Sequence, residues 1–458
     1  MSLQSEFEQL DLGELGRDLY ALASRLYPIC RSITGDGVRS SLDILRQHNA
    51  IQIYEVASGT AVFDWVVPKE WNIRDAYIAN ASGKRVVEFG KCNLHVMNGS
   101  IPVHATMPLS ELKSYLFTNP EQPDWIPYRT TYYKETWGFC LSHNQMLQLE
   151  EGDYEVCIDS SLEPGHLTYG ECFIPGETSE EVLISCHICH PSLANDNLSG
   201  VSVAIFLARL LSGRRSRYCY RFLFIPGTIG AITWLSRNRH TVDRIRHGLV
   251  LTCVGDSGRF HYKKSRRGNT EIDRAAALIL KQENDANAVL EFSPYGYDER
   301  QYCSPGFNLP VGCLMRSVWG TFPEYHSSAD NLDFIGPAQL AESLRVCVGI
   351  MDVLESNRCY SSLNPYCEPQ LGRRNLYSSV GGQSIADEVN ARLWVLNFSD
   401  GEHSLLDIAE RSGIAFSRLR DAAELLSRSG LLTTNSERFT DLPLEPEELC
   451  SMPSSNRN

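Results

Sequence analysis

Ser185-Cys186-His187-Ile188-Cys189-His190-Pro191-Ser192-Leu193-Ala194-Asn195-Asp196-Asn197-Leu198-Ser199-Gly200 is the stretch whose reading decides the fold of this chain. The apolar run Val182-Leu183-Ile184-Ser185 leads into it, and an apolar helical segment, Val201 to Leu211, leads out. A strand, a polar loop and a helix in that order place imidazoles and a carboxylate at the carboxyl end of the strand, where ligands sit in open α/β sheets. Histidine and aspartate together in one crevice are how a zinc hydrolase presents two first ligands, while buried thiols and capping residues would give the same pattern without a metal. Cys186 and Cys189 offer two competing readings. Half of a structural zinc knuckle needs a second C-x-x-C, which the sequence lacks, and the C-x-x-H runs Cys92 to His95 and Cys140 to His143 lie far upstream. A redox pair needs a thioredoxin-like context, which is also missing.

Working outward, strands and helices alternate from about Thr130 to Asn357. Arg221 to Ile225 is followed by a helix from Ala231 to Arg239, Leu249 to Val254 by one from Ile272 to Gln282, and Val311 to Met315 by one from Pro337 to Leu354. Runs apolar on both faces imply strands covered by helices on both sides, so the expected fold class is a doubly wound α/β core. A second polar cluster, Glu324-Tyr325-His326-Ser327-Ser328-Ala329-Asp330-Asn331-Leu332, precedes the last helix. His326 is the natural third ligand, with Asp330 able to hold it; an Asp-Asn turn capping the helix explains part of the same pattern. The expected metal ligands are therefore His190, Asp196 and His326, with His187 an alternative to His190. Asp256, after the third run, is a looser candidate that suits a cap of the Gly255–Gly258 turn equally well.

The rest of the chain divides by texture. Residues 1–50 read as helices belonging to the core, Leu10 to Tyr27 and Ser40 to His48, joined by a loop containing Gly35 and Gly37. Residues 51–128 carry short β-type runs and read as an inserted β-rich domain, and 129–360 as the core. Tyr128, Arg129, Tyr132, Tyr133 and Trp137 could wall a pocket or simply pack in a core. After a turn-rich linker, Ser361 to Gln383, residues 384–445 show helix, turn, helix and short strand, the outline of a winged helix. From Asp387 to Arg428 it carries eight acidic residues against five arginines, a net of −3. A DNA-reading helix calls for a basic face, so a protein partner or a homo-oligomer contact is expected instead.

Composition agrees. With 458 residues, 43% of them hydrophobic, the chain can bury a sizeable core, and disorder is excluded. The balance of 42 basic against 56 acidic residues, −14 at pH 7, disfavours nucleic-acid and anionic-membrane binding by the whole chain. No apolar stretch reaches the ~18 residues of a membrane span. Met1 to Glu8 lacks the basic-then-apolar order of a signal peptide, and 15 scattered cysteines suit free thiols in a reducing cytoplasm.

Thr130 to Asn357 resembles the zinc-dependent aminopeptidases of the bacterial leucyl aminopeptidase type. Ala194-Asn195-Asp196-Asn197-Leu198-Ser199-Gly200 matches that family's bridging-aspartate run, and Tyr325-His326-Ser327-Ser328-Ala329-Asp330 its late histidine run. The resemblance implies metal binding by Asp196 and His326. The whole chain is similar to a bacterial group of aminopeptidase-like proteins with an inserted β domain and a C-terminal winged helix, often found beside natural-product or surface-polysaccharide genes. Tyr132 to Cys140, Cys189-His190-Pro191-Ser192 and Tyr297-Asp298-Glu299-Arg300-Gln301-Tyr302-Cys303 carry that likeness. One departure matters. Gly227 and Thr228 stand where the peptidases place two consecutive glutamates, one a general base and the other a ligand.

One zinc ion is therefore expected rather than two, with Glu299 or Glu324 moving protons. Arg316 is a candidate for a substrate carboxylate, and Tyr297 and Tyr325 for the substrate side. The activity implied is hydrolysis of an amide bond in a small or peptidyl substrate; the alternative is a catalytically altered relic that binds a ligand or acts as a scaffold.

Overall fold

The structure, a computed structural model, describes residues 2–376 and 387–434. Its centre is an eight-stranded mixed sheet. In chain order the strands are β1 (Gln52–Ala57), β2 (His166–Ile174), β3 (Glu181–His187), β4 (Cys219–Ile225), β5 (Ile245–Leu251), β6 (His261–Lys263), β7 (Ala288–Leu290) and β8 (Val311–Met315). Across the sheet they run β1-β2-β4-β3-β5-β8-β6-β7. The middle four, β4, β3, β5 and β8, are parallel. β1, β2 and β6 pair antiparallel at the flanks, so the doubly wound centre has mixed edges.

Every residue of β3 and β4 is buried; their apolar side chains cover both faces, and Glu181 of β3 pairs with Arg221 of β4. On one face Leu183, Leu223 and Ile225 pack with Trp234, Leu235 and Tyr302. The helix Gly200–Ser212, buried along most of its length, packs on β3, β4 and β5. The third β-run ends at Leu251 rather than Val254, and the second helix, Ile229–Arg237, starts two residues before Ala231.

The β-rich piece differs from its expected 51–128 span. Gln52–Ala57 belongs to the edge of the large sheet. A separate antiparallel sheet is ordered Arg85–Glu88, Glu70–Asn80, Asp153–Glu163, Val103–Pro108, so it reaches past 128 to Glu163. Asp153–Glu163 alternates buried and partly exposed positions, the signature of a strand with one apolar face, and places Val156 and Ile158 against Trp71, Ile78 and Phe139. The second N-terminal helix runs Asp36–Leu45, one turn earlier than expected. Gly35 precedes it with φ 101°, where a Cβ would lie 2.1 Å from the Trp71 carbonyl oxygen. Arg39 of this helix pairs with Glu70 of the smaller sheet.

Ser356 onward forms a second compact unit. It contains helices Asp387–Asn397, Leu405–Ser412 and Phe416–Arg428. Cys359–Ser362 is the middle strand of a three-stranded sheet between Asp400–Ser404 and Leu432–Thr433. Ser404 and Asp407 close a capping box, and Gly413 ends the helix in the left-handed region, as the sequence signalled. The expected wing and tail beyond 434, and the linker residues 377–386, lie outside the described residues. Among those described, no helix is long and apolar enough to cross a membrane.

Candidate metal centre

β3 ends at His187, so this imidazole, not that of His190, is the one at the strand end. Alternation turns Cys186 to the opposite face, where its thiol donates to the Gly200 carbonyl. His190 follows three residues later in the loop, and Asp196 lies in the irregular turn Ala194–Ser199 before the buried helix. Asp330 fixes that turn from across the site: the backbone N–H groups of Asn195 and Asp196 donate to its two carboxylate oxygens at 2.6 and 2.9 Å. The Asn197 side chain donates to the Leu251 carbonyl at 2.9 Å, tying the turn to the end of β5. Asp330 thus holds the backbone of Asp196 and not the His326 ring, contrary to expectation.

The polar groups converge. His187 Nε2 lies 2.7 Å from Asp196 Oδ1, and His326 Nε2 lies 3.0 Å from Asp196 Oδ2. One ligand atom each from His187, His190 and Asp196 falls within 4.8 Å of the other two, and all three residues are buried. Two nitrogens and a carboxylate oxygen at that spacing suit a borderline cation such as zinc. His187 therefore joins the set beside His190 instead of replacing it. His326, partly exposed, reaches Asp196 from the other side with its backbone in the left-handed region at φ 55°.

Electrostatics favours ligation. Burial works to raise the Asp196 carboxyl, but the imidazoles around it, two of them hydrogen-bonded to it from His187 and His326, outweigh burial and hold the group well below the usual range, so it stays ionised. Burial drives His190 well below its ordinary value, leaving a neutral ring with a lone pair to offer. Burial also raises Asp330 to about 8, despite the amides it accepts from.

Aromatic rings bracket the imidazoles. Tyr297 lies 3.9 Å from His187 and Tyr325 stacks at 3.9 Å on His326, measured between ring centres. Tyr128 stands edge-on to His190 and His326, and its N–H donates to the His326 carbonyl. Of the stretch that includes Tyr128, Trp137 stacks on Tyr115 away from the histidines, and Tyr132 and Tyr133 are exposed.

Three expected site residues are committed elsewhere. Glu299 is buried against Lys263 at 2.7 Å and also accepts from the Tyr297 N–H, which removes it from the proton-moving role foreseen for it. Arg316 does not present its guanidinium to a substrate: it donates to the Gly258 carbonyl and Ser343 Oγ, and pairs with Glu342. Asp256 caps its own turn through the Gly258 N–H and accepts from Asn195 and Ser317, the capping alternative noted above. Glu324 is partly exposed on the loop before His326.

Sequence reading missed Arg31. Its Nε donates to the His190 carbonyl at 3.0 Å and its Nη1 to the Leu26 carbonyl, pinning the ligand loop from below. Burial lowers this guanidinium to about 10. A lone arginine before a turn carries no local signal of such a role.

A parallel-centred α/β core with His, His and Asp gathered at the carboxyl ends of its strands defines the aminopeptidase-like class. Within it, the chain belongs to the family described as domain of unknown function DUF4910, whose model matches residues 20–357; a winged helix-turn-helix model matches 358–434. The chain is 53% identical, over 92% of its length and 96% of the relative's, to a Clostridium acetobutylicum protein provisionally named as a polysaccharide biosynthesis protein with an aminopeptidase-like domain. A crystal structure from C. acetobutylicum, provisionally described as a peptidase, superposes with TM-score 0.88 at 52% identity, covering 92% of this chain and 97% of that one. A zinc aminopeptidase from Bacillus subtilis shares the fold with TM-score 0.54 at 12% identity, over 74% of this chain and 95% of that one. An M28 peptidase precursor from Shewanella amazonensis does so with TM-score 0.54 at 14% identity, over 77% and 96%.

Proposed function

We infer that the protein is a cytoplasmic hydrolase of the aminopeptidase type, using one zinc ion to cleave an amide bond in a small or peptidyl substrate. The observation that carries this reading is the convergence of His187, His190 and Asp196 within 4.8 Å in a buried site. Zinc held there would supply Lewis acidity toward a carbonyl oxygen. The residues do the rest: Asp330 and Arg31 set the backbone on either side of the ligands, and His326 orients the second oxygen of Asp196. Tyr297 and Tyr325 face the imidazoles and supply apolar walls for a substrate. The name of the Clostridium relative supports a place in polysaccharide biosynthesis. The second unit serves contacts with protein, a homo-oligomer partner included. Arg418 pairs with Asp387, Arg420 with Asp421 and Arg428 with Glu424, so the cations of the second helix of its helix-turn-helix are already matched to acids.

A second reading, a ligand-binding or scaffolding relic, draws support from Gly227, which brings no side chain to the centre. Assay of zinc-loaded protein against aminoacyl amides and short peptides separates the two. Turnover that is lost in His187→Ala supports the hydrolase; zinc bound at one per chain with no turnover of any member supports the relic.

A further inference from the structure

Amide hydrolysis needs a group that gives and takes a proton beside the acyl carbon. Most carboxyls around the centre are already engaged: Asp196 by His187 and His326, Asp330 by two backbone amides, Asp256 by Asn195 and its own turn, Glu299 by Lys263. Asp298 differs. Its side chain is fully buried, and neither carboxyl oxygen has a hydrogen-bond partner among the described residues. Leaving a polar group buried and unpartnered is costly, and neither oxygen of Asp298 gains a hydrogen bond in return.

Its position connects it to the ligands. Asp298 opens the short helix Glu299–Tyr302 and directly follows Tyr297. The Tyr297 ring rests on His187, and its hydroxyl lies 3.8 Å from the thiol of Cys189, itself 3.8 Å from His190 Nδ1. Gly227 makes this approach possible: a Cβ there would sit 2.1 Å from Tyr297 Cε1 and 3.1 Å from His187 Cβ. The Tyr297 ring thus fills the space that a side chain at 227 would occupy, with Asp298 next to it in the chain. The titratable groups that feel the Asp298 charge are Tyr297, Glu299 and Arg300 beside it, and Tyr302, Cys186, Cys189 and Cys313 around it. Burial, reinforced by Glu299, raises its carboxyl well above the usual range, which keeps a proton on it.

We propose that Asp298 is the acid–base carboxyl of this centre, carried beside the Tyr297 ring that packs on His187 in the room left by Gly227. The proposal rests on the hydrolase reading. Its carboxyl gives its proton to the leaving nitrogen as the C–N bond breaks. It recovers one from the water whose oxygen joins the acyl carbon, so water and amide go in and a carboxylic acid and an amine come out.

Infrared spectra of wild-type protein and Asp298→Asn, with and without stoichiometric zinc, test the placement without any substrate. The expected result is a protonated-carboxyl band that is absent from the variant and shifts in the wild type when zinc binds. A band that ignores zinc, or no such band, overturns the proposal. Asp298→Ser provides the assignment if the asparagine variant does not fold. The zinc-loaded proteins are then assayed on a panel of aminoacyl p-nitroanilides. Asp298→Asn is expected to lose kcat by ~100- to 10,000-fold with KM and zinc content unchanged. Wild-type turnover that persists in Asp298→Asn sinks the Asp298 assignment alone. A zinc-sensitive band with no turnover by the wild type sinks the hydrolase reading and its acid–base step, leaving Asp298 as a carboxyl whose surroundings respond to zinc.

Discussion

At the residue scale, partners rather than position decide what each charged group does. Arg316 sits at the end of β8, where a substrate clamp was expected, yet its guanidinium is satisfied by Gly258, Ser343 and Glu342. Replacing it with Met is therefore expected to lower stability by about 2 kcal/mol, read as a fall in Tm, while KM stays unchanged. A KM rise with unaltered Tm would restore the clamp. Asp330 makes the opposite case: it never touches the imidazoles but fixes the Asp196 backbone. Asp330→Ala should weaken zinc binding by ~10- to 100-fold, measured by competition with a chromophoric chelator. The candidate cluster was legible in the sequence because metal-binding residue types at strand ends form a dense, unusual run, but the sequence did not rank His187 against His190. The contacts of Arg31 and Asp330 were not legible, because each depends on a neighbour distant in the chain.

At the scale of elements, the apolar runs of β3, β4 and β8 predicted their strands to within a residue or two, since strands buried on both faces tolerate little else. Asp153–Glu163 was harder to place: it is buried on one face only, and its pairing with Glu70–Asn80 spans too much sequence for any local pattern to show. The contact between the smaller sheet and the second N-terminal helix makes a testable pH effect. Hydrogen bonding to Arg39 lowers Glu70 from 4.5 to about 2. The pair therefore adds stability above the unfolded value, and that contribution is lost as the pH falls from 4.5 toward 2. Glu70→Gln is expected to cost about 1 kcal/mol at pH 7, allowing for solvent screening. In urea melts the difference should shrink to nothing near the acid end of that window. A gap that stays constant with pH would refute the pairing. Gly227→Ala tests the close approach beneath Tyr297 and should destabilise by about 1–3 kcal/mol through overpacking.

At the scale of the whole molecule, the chain combines an α/β unit that carries the candidate metal site, Met1–Glu355, with a second unit from Ser356 onward. The acidic balance of −14 and the paired arginines of Phe416–Arg428 both argue against a nucleic-acid partner. Gel-shift assays at physiological salt are expected to show no retardation of duplex DNA; a salt-dependent shift would revive a DNA role. Zinc analysis of protein purified without chelators or added metal tests the central claim most directly. The expected result is one zinc per chain in the wild type and almost none in the His187→Ala/His190→Ala double variant. Wild-type protein without stoichiometric zinc, or a folded double variant that keeps its zinc, would contradict it.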